Sequence, residues 1–305
     1  MSGPQPISKS VEWMGRAVHN HRDMWIKLGN LESKILSMDL SDVTIQNPVY
    51  ICGLARSGST VLLEMLARHP DCTSHRYQDF PFLFTPYWWN MLLKFTHFSK
   101  HKAQERAHGD GIMVTPQSPE AMEEMLWMAF FDHLHDSTQN NVLGRTTYYP
   151  EFESFYLSHI KKLLLARHRT RYVSKGNYTV TRMGYLQNLS PDAKFIIPIR
   201  EPVGHVISLM KQHTRFCEAG RKDARITEHM SQVGHFEFGL NRIPVNIGDW
   251  HRIEAIQQAW SNGEEIRGLA LYWDMVYRFV YNQLKADAPL AENSKIIAHH
   301  TLCAD

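Results

Sequence analysis

Residues 53–60 read GLARSGST, a glycine-rich segment whose residue types and spacing suit the binding of an anion. The pattern GxxxxGx[ST] turns backbone N–H groups toward one point, and a helix that begins at its end adds a positive dipole. An apolar run at 49–52 precedes the segment, and an amphipathic stretch at 60–68 follows it. A strand, a loop and a helix in that order favour a phosphate-binding loop over a simple glycine-serine turn.

One position separates this loop from those of ordinary nucleotide triphosphatases. Those enzymes place a lysine after the second glycine, where it reaches the β- and γ-phosphates, whereas this chain has Ser59. The cation of the loop is Arg56 instead. We therefore expect an anion site that does not hold a triphosphate with magnesium. The loop residues expected to bind the anion are Arg56, Ser57, Gly58, Ser59 and Thr60.

A second candidate anion site begins at Arg200, where the apolar run at 194–199 ends. Open α/β folds bind ligands at the carboxyl ends of their parallel strands, so Arg200 is well placed for binding. Ser208 comes about two turns into the helix expected from Pro202. A guanidinium and a hydroxyl at these positions can share one phosphate dianion, although an arginine at a helix start is often only a surface residue.

Apolar runs alternate with amphipathic stretches along the chain, which predicts an α/β fold with a parallel sheet flanked by helices. Buried strands are expected at residues 49–52, 172–174, 194–199 and 294–298. Helices are expected at residues 10–38, 60–68, 118–135, 151–168, 179–189, 202–216, 223–242 and 250–285. The expected organisation is an N-terminal helical segment, 1–45, followed by one domain, 46–305.

Composition excludes several classes of protein. With 43% hydrophobic and 21% charged residues among 305, the chain is typical of globular proteins and not of disordered ones. A net charge of +2 gives no reason to expect a nucleic-acid partner. Four scattered cysteines without a CxxC pair are typical of free thiols in a reducing compartment. Because no apolar run suits a signal peptide or a membrane span, we expect a cytoplasmic protein.

Metal binding is not expected from the histidines. The chain has 18 of them, so close pairs such as His133 and His135 arise by chance. A zinc site would need further ligands and partners that orient them, and the sequence shows no such set.

The segment ARSGST at 55–60 and the pair Arg200 and Ser208 together resemble the motifs of sulfotransferases that use 3′-phosphoadenosine 5′-phosphosulfate (PAPS). In that family a PRSGTT-like loop holds the 5′-phosphosulfate, and an Arg…Ser pair holds the 3′-phosphate. The resemblance implies the P-loop NTPase-like sulfotransferase fold, with PAPS as donor and adenosine 3′,5′-bisphosphate (PAP) as product. The resemblance covers about residues 48–210 and is closest to the tyrosylprotein, Golgi-type and bacterial branch. A lysine after a short strand contacts the sulfuryl group in that branch, which assigns this role to Lys175.

The chain departs from the family pattern in three places. Ala55 replaces the usual proline of the loop, and Ser59 replaces a threonine while keeping the hydroxyl. Family members continue through a Tyr-Glu-x-Leu-like motif, whereas this chain reads HHTL at 299–302 and stops at Asp305. We therefore expect that a C-terminal segment is missing.

Sulfuryl transfer needs cations at the leaving phosphate and a base that takes the proton of the acceptor. Arg56 and Lys175 are the candidate cations, and the resemblance implies that no metal is required. The candidate bases, in order, are Asp79, then His75, then His108 with Asp110. Tyr77 falls where the related branch has its glutamate.

The sequence thus predicts an enzyme that moves a sulfuryl group from PAPS to a hydroxyl or amine acceptor. The acceptor is left open among a glycan, a lipid, a small alcohol and a protein tyrosine. An atypical P-loop kinase and a non-catalytic P-loop domain that binds a nucleotide or a partner are the alternatives. Binding of PAP in preference to ATP would separate the first from the second, and transfer of labelled sulfate would exclude the third.

Overall fold

The computed structural model describes residues 9–95, 103–106 and 108–302. Its main sheet consists of five parallel strands: β1 (Val49–Cys52), β2 (Cys72–Thr73), β5 (Arg171–Gly176), β6 (Lys194–Ile199) and β7 (Ser294–Ala298). The strand order is β2-β5-β1-β6-β7. The short strands β3 (Gln104–Glu105) and β4 (Met113–Val114) form a separate antiparallel pair.

Helices surround the main sheet, which confirms the predicted fold class. Those before β5 are α1 (Lys9–Asn20), α2 (Arg22–Ile35), α3 (Ser37–Ser41), α4 (Ser59–Ala67), α5 (Pro86–Phe95), α6 (Glu124–Phe130) and α7 (Pro150–Arg167). Those after it are α8 (Met183–Leu189), α9 (Pro202–Lys222), α10 (Ala224–Gln232), α11 (Trp250–Ser261), α12 (Glu265–Ala286) and α13 (Ala288–Glu292). Within the described ranges, no helix has the length and apolar character that a bilayer crossing requires.

The strand β1 lies at the middle of the sheet because all four of its side chains are apolar enough to be buried on both faces. In the sheet, Ile51 is in register with Lys175 of β5, and Tyr50 is in register with Phe195 of β6. The Tyr50 and Phe195 rings stack with their centroids 5.8 Å apart. Parallel strands end at the same edge, so the loop after β1, the end of β5 and the end of β6 lie side by side.

Several predicted helices are shorter or divided in the structure, and in two of them the reason is a glycine. The helix expected at 223–242 ends at Gln232, and Gly234 follows with φ +80°. The helix expected at 250–285 divides into α11 and α12 at Gly263, whose φ is +77°. Such angles favour glycine and interrupt a helix. The helix expected at 118–135 is reduced to α6, which leaves the residues before it as a loop.

The N-terminal segment is helical, as the sequence indicates. Helix α2 packs on α7 through an ion pair between Glu32 and Lys162, whose Oε2 and Nζ atoms lie 2.9 Å apart in full burial. The boundary between a segment 1–45 and a domain 46–305 stays a prediction.

Candidate functional site

The loop between β1 and α4 has the backbone of an anion-binding turn. Arg56 has φ +70°, and Gly58, the N-cap of α4, has φ +100°. The first backbone hydrogen bond after the loop joins Leu62 N to the Gly58 carbonyl at 3.3 Å. The N–H groups of the preceding turn therefore have no partner within the helix and can donate to a ligand.

Gly58 also lies where a side chain would not fit. A Cβ atom there would lie 3.1 Å from Cδ2 of His299 and 3.2 Å from Cδ1 of Leu302. Glycine is thus required both by the backbone angle and by the close approach of the segment that follows β7. This segment carries the HHTL sequence at 299–302, so it forms one wall beside the loop.

The structure brings the two predicted anion motifs into contact. Nε of Arg56 donates to Oγ of Ser208 at 3.3 Å, although the two residues are 152 positions apart. Nη1 of Arg56 donates to Asp110 at 2.6 Å. The loop cation is thus held between a helix hydroxyl and a carboxylate.

Arg200 lies at the start of α9, beside the same loop. Its Nε and Nη2 atoms are each 3.8 Å from the position a Cβ of Gly204 would take. Burial lowers the pKa of His299, and the charges of Arg200 and Arg56 lower it further, which places both guanidinium groups near that ring. Among the described residues, the Arg200 side chain has no hydrogen bond, so its guanidinium remains able to bind an anion.

Lys175 lies against the first turn of α4. Its Nζ donates to Oγ1 of Thr60 at 3.0 Å, and Nη1 of Arg106 donates to the same oxygen at 3.2 Å. The Lys175 side chain is only 9% exposed. Burial lowers the pKa of Lys175, and the Glu120 carboxylate, 3.7 Å from Nζ, partly offsets this.

Glu120 is a member of the site that the sequence did not reveal, because it falls within the helix expected at 118–135. It lies instead in a loop, where the Tyr77 hydroxyl and the Ala121 N–H donate to its carboxylate. Burial acts to raise the pKa of Glu120, but Lys175 and Tyr77 outweigh it and lower that pKa to about 2. Glu120 is therefore an anion that orients Lys175.

Arg106 is a second member that sequence reasoning missed, since no motif singled it out. Its Nε and Nη2 atoms donate to the two oxygens of Asp110 at 2.9 Å and 2.5 Å. Burial acts to raise the pKa of Asp110, but hydrogen bonds from Arg106 and Arg56 hold that pKa well below its ordinary range. Asp110 thus fixes two arginines and is a poor base.

Asp79, the first candidate base, does not lie with these residues. Nη2 of Arg167 donates to both Asp79 oxygens, at 2.6 Å and 2.7 Å, and the Arg76 N–H donates at 2.8 Å. Both oxygens are occupied and the side chain is 2% exposed. This geometry gives Asp79 a structural role in place of the predicted catalytic one.

The histidine candidates are also buried. Nε2 of His75 faces Nε2 of His159 at 2.8 Å, and its Nδ1 pairs with the Tyr172 hydroxyl at 3.1 Å. Burial lowers the pKa of His75 to about 4. His108 packs its ring against Phe216 with centroids 5.4 Å apart, and burial followed by the Arg106 charge lowers its pKa to about 3. Neither imidazole is tuned for proton transfer near neutrality.

Another pair missed by the sequence, His235 and Glu237, lies in the loop after α10. Nδ1 of His235 is 3.3 Å from Oε1 of Glu237. The same carboxylate accepts from Nδ2 of Asn177, two residues after Lys175. The sequence predicted a continuous helix at 223–242, so it gave no reason to expect that these two side chains meet in a loop.

The described residues offer donors for an anion and no set suited to a metal. Ser57 is fully buried, and its Oγ has no hydrogen-bond partner in the structure. Within the described ranges, no group of three or more His, Cys, Asp or Glu side chains is placed to hold a metal ion.

A parallel sheet flanked by helices, with a glycine-containing loop that joins its central strand to a helix, defines an α/β protein. A model of the sulfotransferase family matches residues 48–257. Since that match spans more than half of the chain, the chain belongs to the sulfotransferase family.

Two solved structures are similar to the chain. The sulfotransferase STF1 from Mycobacterium tuberculosis H37Rv is 18% identical with a TM-score of 0.46, over 91% of this chain and 68% of that one. The sulfotransferase STF9 from Mycobacterium avium is 12% identical with a TM-score of 0.36, over 84% of this chain and 72% of that one. No curated protein sequence matches the chain.

Proposed function

We propose that the protein transfers a sulfuryl group from PAPS to a hydroxyl or amine acceptor, without a metal ion and in the cytoplasm. The observation that carries the proposal is the contact between Arg56 of the loop and Ser208 of α9, at 3.3 Å. This contact joins the two parts of the chain that would bind the two phosphate positions of such a donor.

The residues present suit the phosphates of this donor. The 5′-phosphosulfate would lie on the loop, held by Arg56, by the N–H groups of Gly58, Ser59 and Thr60, and by the hydroxyls of Ser57, Ser59 and Thr60. Arg200 and Ser208 would hold the 3′-phosphate. The unpartnered Oγ of the buried Ser57 and the unpaired guanidinium of Arg200 support this assignment.

The net charge of the site also supports the assignment of a bound anion. The side chains Arg56, Arg106, Lys175 and Arg200 carry four positive charges, against two negative charges on Asp110 and Glu120. The surplus of positive charge in a partly buried site favours a bound anion.

When bound, the donor supplies an activated sulfuryl group on a phosphate leaving group. Lys175 is placed to stabilise the charge that develops as the S–O bond breaks, because its ammonium group is already fixed on Thr60 at 3.0 Å. A fixed cation in a water-poor site needs little reorganisation during the reaction. Glu120 keeps that ammonium group oriented.

Nucleotide binding tests the proposal. PAP at about 100 times its dissociation constant should add about 2.7 kcal/mol to the free energy of unfolding. 5′-AMP at the same concentration should add much less, because it lacks the group that Arg200 and Ser208 would bind. Equal thermal shifts would contradict the proposal, and preference for ATP would indicate a kinase.

Transfer of ³⁵S from labelled PAPS to a panel of alcohols, phenols, glycans and amines then tests catalysis. Labelled product identifies the acceptor class. A protein that binds PAP tightly and labels nothing would be a non-catalytic nucleotide-binding domain.

A further inference from the structure

We propose that His235 is the catalytic base, taking the acceptor's proton at Nε2, and that Glu237 is the positioning residue that orients its ring. This inference rests on the proposed sulfuryl transfer.

The imidazole of His235 is held at one nitrogen and open at the other. Nδ1 lies 3.3 Å from Oε1 of Glu237, so Nδ1 carries the proton and donates to the carboxylate. Among the described residues, Nε2 of His235 has no hydrogen-bond partner, and the side chain is 35% exposed. An imidazole held at one nitrogen by a carboxylate and open at the other is the arrangement of a general base.

The loop that carries His235 lies beside the residues that follow β5. Glu237 accepts from Asn177 and from the Tyr178 hydroxyl, the latter at 3.1 Å, and the Phe236 N–H donates to that hydroxyl at 2.9 Å. The loop that carries His235 is thus tied by side-chain contacts to the end of β5. Lys175 lies on that same strand end, so base and cation flank one place.

Charged groups from several elements surround the His235 ring. The charged and titratable groups that face His235 come from its own loop, from the loop before α6, from β5, from the turn before β4 and from α10. They are Glu237, Glu120, Lys175, His108 and His229.

Among these charged groups, the carboxylates have the largest effect on the pKa of His235. Burial acts to lower the pKa of His235, but Glu237 outweighs it and the net pKa lies above the ordinary value. A base is most effective when its pKa is close to the working pH. Glu120, whose pKa is lowered to about 2 and whose oxygens are occupied, is a much weaker base.

In the proposed step, the acceptor oxygen forms a bond to sulfur while the bond from sulfur to the phosphate oxygen breaks. The electron pair of the broken bond stays on the phosphate. The acceptor proton moves to Nε2 of His235, and the resulting imidazolium is stabilised by Glu237. Lys175 faces the negative charge on the leaving oxygen.

The main test is the His235→Ala variant, assayed for PAP thermal shift and for ³⁵S transfer with the acceptor panel. We expect an unchanged thermal shift and a loss of transfer of about 100-fold to 10,000-fold. Added imidazole should restore part of the rate, because it can occupy the space that the ring leaves. His251→Gln, an exposed histidine on α11, is the matched control and should transfer at the wild-type rate.

A second variant, Glu237→Gln, separates a base from a structural residue. Removing the carboxylate lowers the pKa of His235, so the acidic limb of the kcat/KM profile should move to lower pH as the maximal rate falls. Wild-type transfer by His235→Ala would overturn the inference. So would a loss without imidazole rescue together with an unmoved acidic limb in Glu237→Gln.

Different results would refute the proposed function. A wild-type protein that shows no preference for PAP, or that labels no acceptor, would refute the transfer reaction itself. If the wild type transfers sulfate and Glu120→Gln alone abolishes the acidic limb, the base is Glu120 and only the present inference is wrong.

Discussion

Two groups of charged side chains contain similar residues but are satisfied to different degrees. In the closed cluster, Arg167 donates to Asp79, Asn90, Thr73 and the Ser74 carbonyl. In the open cluster, Arg56, Arg106 and Lys175 share two carboxylates, Asp110 and Glu120, and the Lys175 ammonium lies as far as 3.7 Å from Glu120.

The difference separates ion pairs that are complete within the protein from ion pairs that are not. Every donor of Arg167 has a protein partner, so a ligand has nothing to add there. The open cluster keeps more positive than negative charge at the start of α4, which suits the anionic donor proposed above. Burial and charge alone therefore do not identify a catalytic carboxylate, because the partners decide its role.

The largest effect on stability is expected in the closed cluster. Arg167→Ala leaves Asp79 buried and unpaired, and we expect the free energy of unfolding to fall by about 3–5 kcal/mol. Urea denaturation measures this loss. Asp79→Asn, which keeps the acceptor oxygen, should lose less. A stable Asp79→Asn protein that binds PAP and cannot transfer sulfate would restore Asp79 as the base and erase the distinction between the clusters.

Lys175→Ala should act mainly on the rate. We expect turnover to fall by about tenfold to a thousandfold, with PAP affinity little changed, because the ammonium group acts on charge that develops in the transition state. The free energy of unfolding should fall modestly, because the buried Glu120 carboxylate loses the cation 3.7 Å away but keeps its hydrogen bonds from Tyr77 and Ala121. Lys194→Ala, an exposed lysine of β6, is the control. Full activity of Lys175→Ala would rule out its assigned role.

Arg56→Ala should weaken the binding of the donor and of PAP together. A charge-assisted hydrogen bond contributes about 1.5–3 kcal/mol, which corresponds to about a tenfold to a hundredfold rise in the Kd of PAP by calorimetry. Ser208→Ala removes a neutral partner and should cost about 0.5–1.5 kcal/mol. If Ser208→Ala had the greater effect, the guanidinium would not be the main phosphate ligand.

The smallest effect concerns pH and the support beneath the open cluster. Nε2 of His205 lies 2.8 Å from the Ala55 carbonyl, and Trp273 donates to Nδ1 at 3.0 Å, so the ring must be neutral. Burial lowers the pKa of His205 to about 4. The unfolded chain protonates near pH 6.5, so this stability is present above that pH and is lost as pH falls toward 4.

At pH 5.5 the expected loss from His205 is on the order of 1 kcal/mol. Thermal unfolding of wild type and His205→Gln between pH 8 and pH 5 measures it. The glutamine variant should have a shallower pH dependence. Identical slopes would show that other groups account for the acid sensitivity.

The sequence predicted the parts of the fold and site that depend on local patterns. The loop at 53–60 and the position of Arg200 after β6 were predicted from apolar runs that end at one edge, whereas Lys175 was predicted from the family resemblance. Glu120 and His235 were not predicted, because their loops had the composition of helices and their partners lie far along the chain. The pairing of Asp79 with Arg167 was not predicted either, since nothing near Asp79 in sequence indicates that arginine. The binding and catalytic roles of the predicted residues stay predictions.

The strand order has a consequence for synthesis on the ribosome. The central strand β1 emerges early, but its neighbours β5 and β6 begin roughly 120 and 140 residues later. At about 5–20 residues per second, β1 waits on the order of 6–24 s for β5 and about 7–28 s for β6. Both edges of this apolar strand are unpaired until β5 emerges, and one edge stays unpaired until β6 emerges, which favours binding of the nascent chain by chaperones.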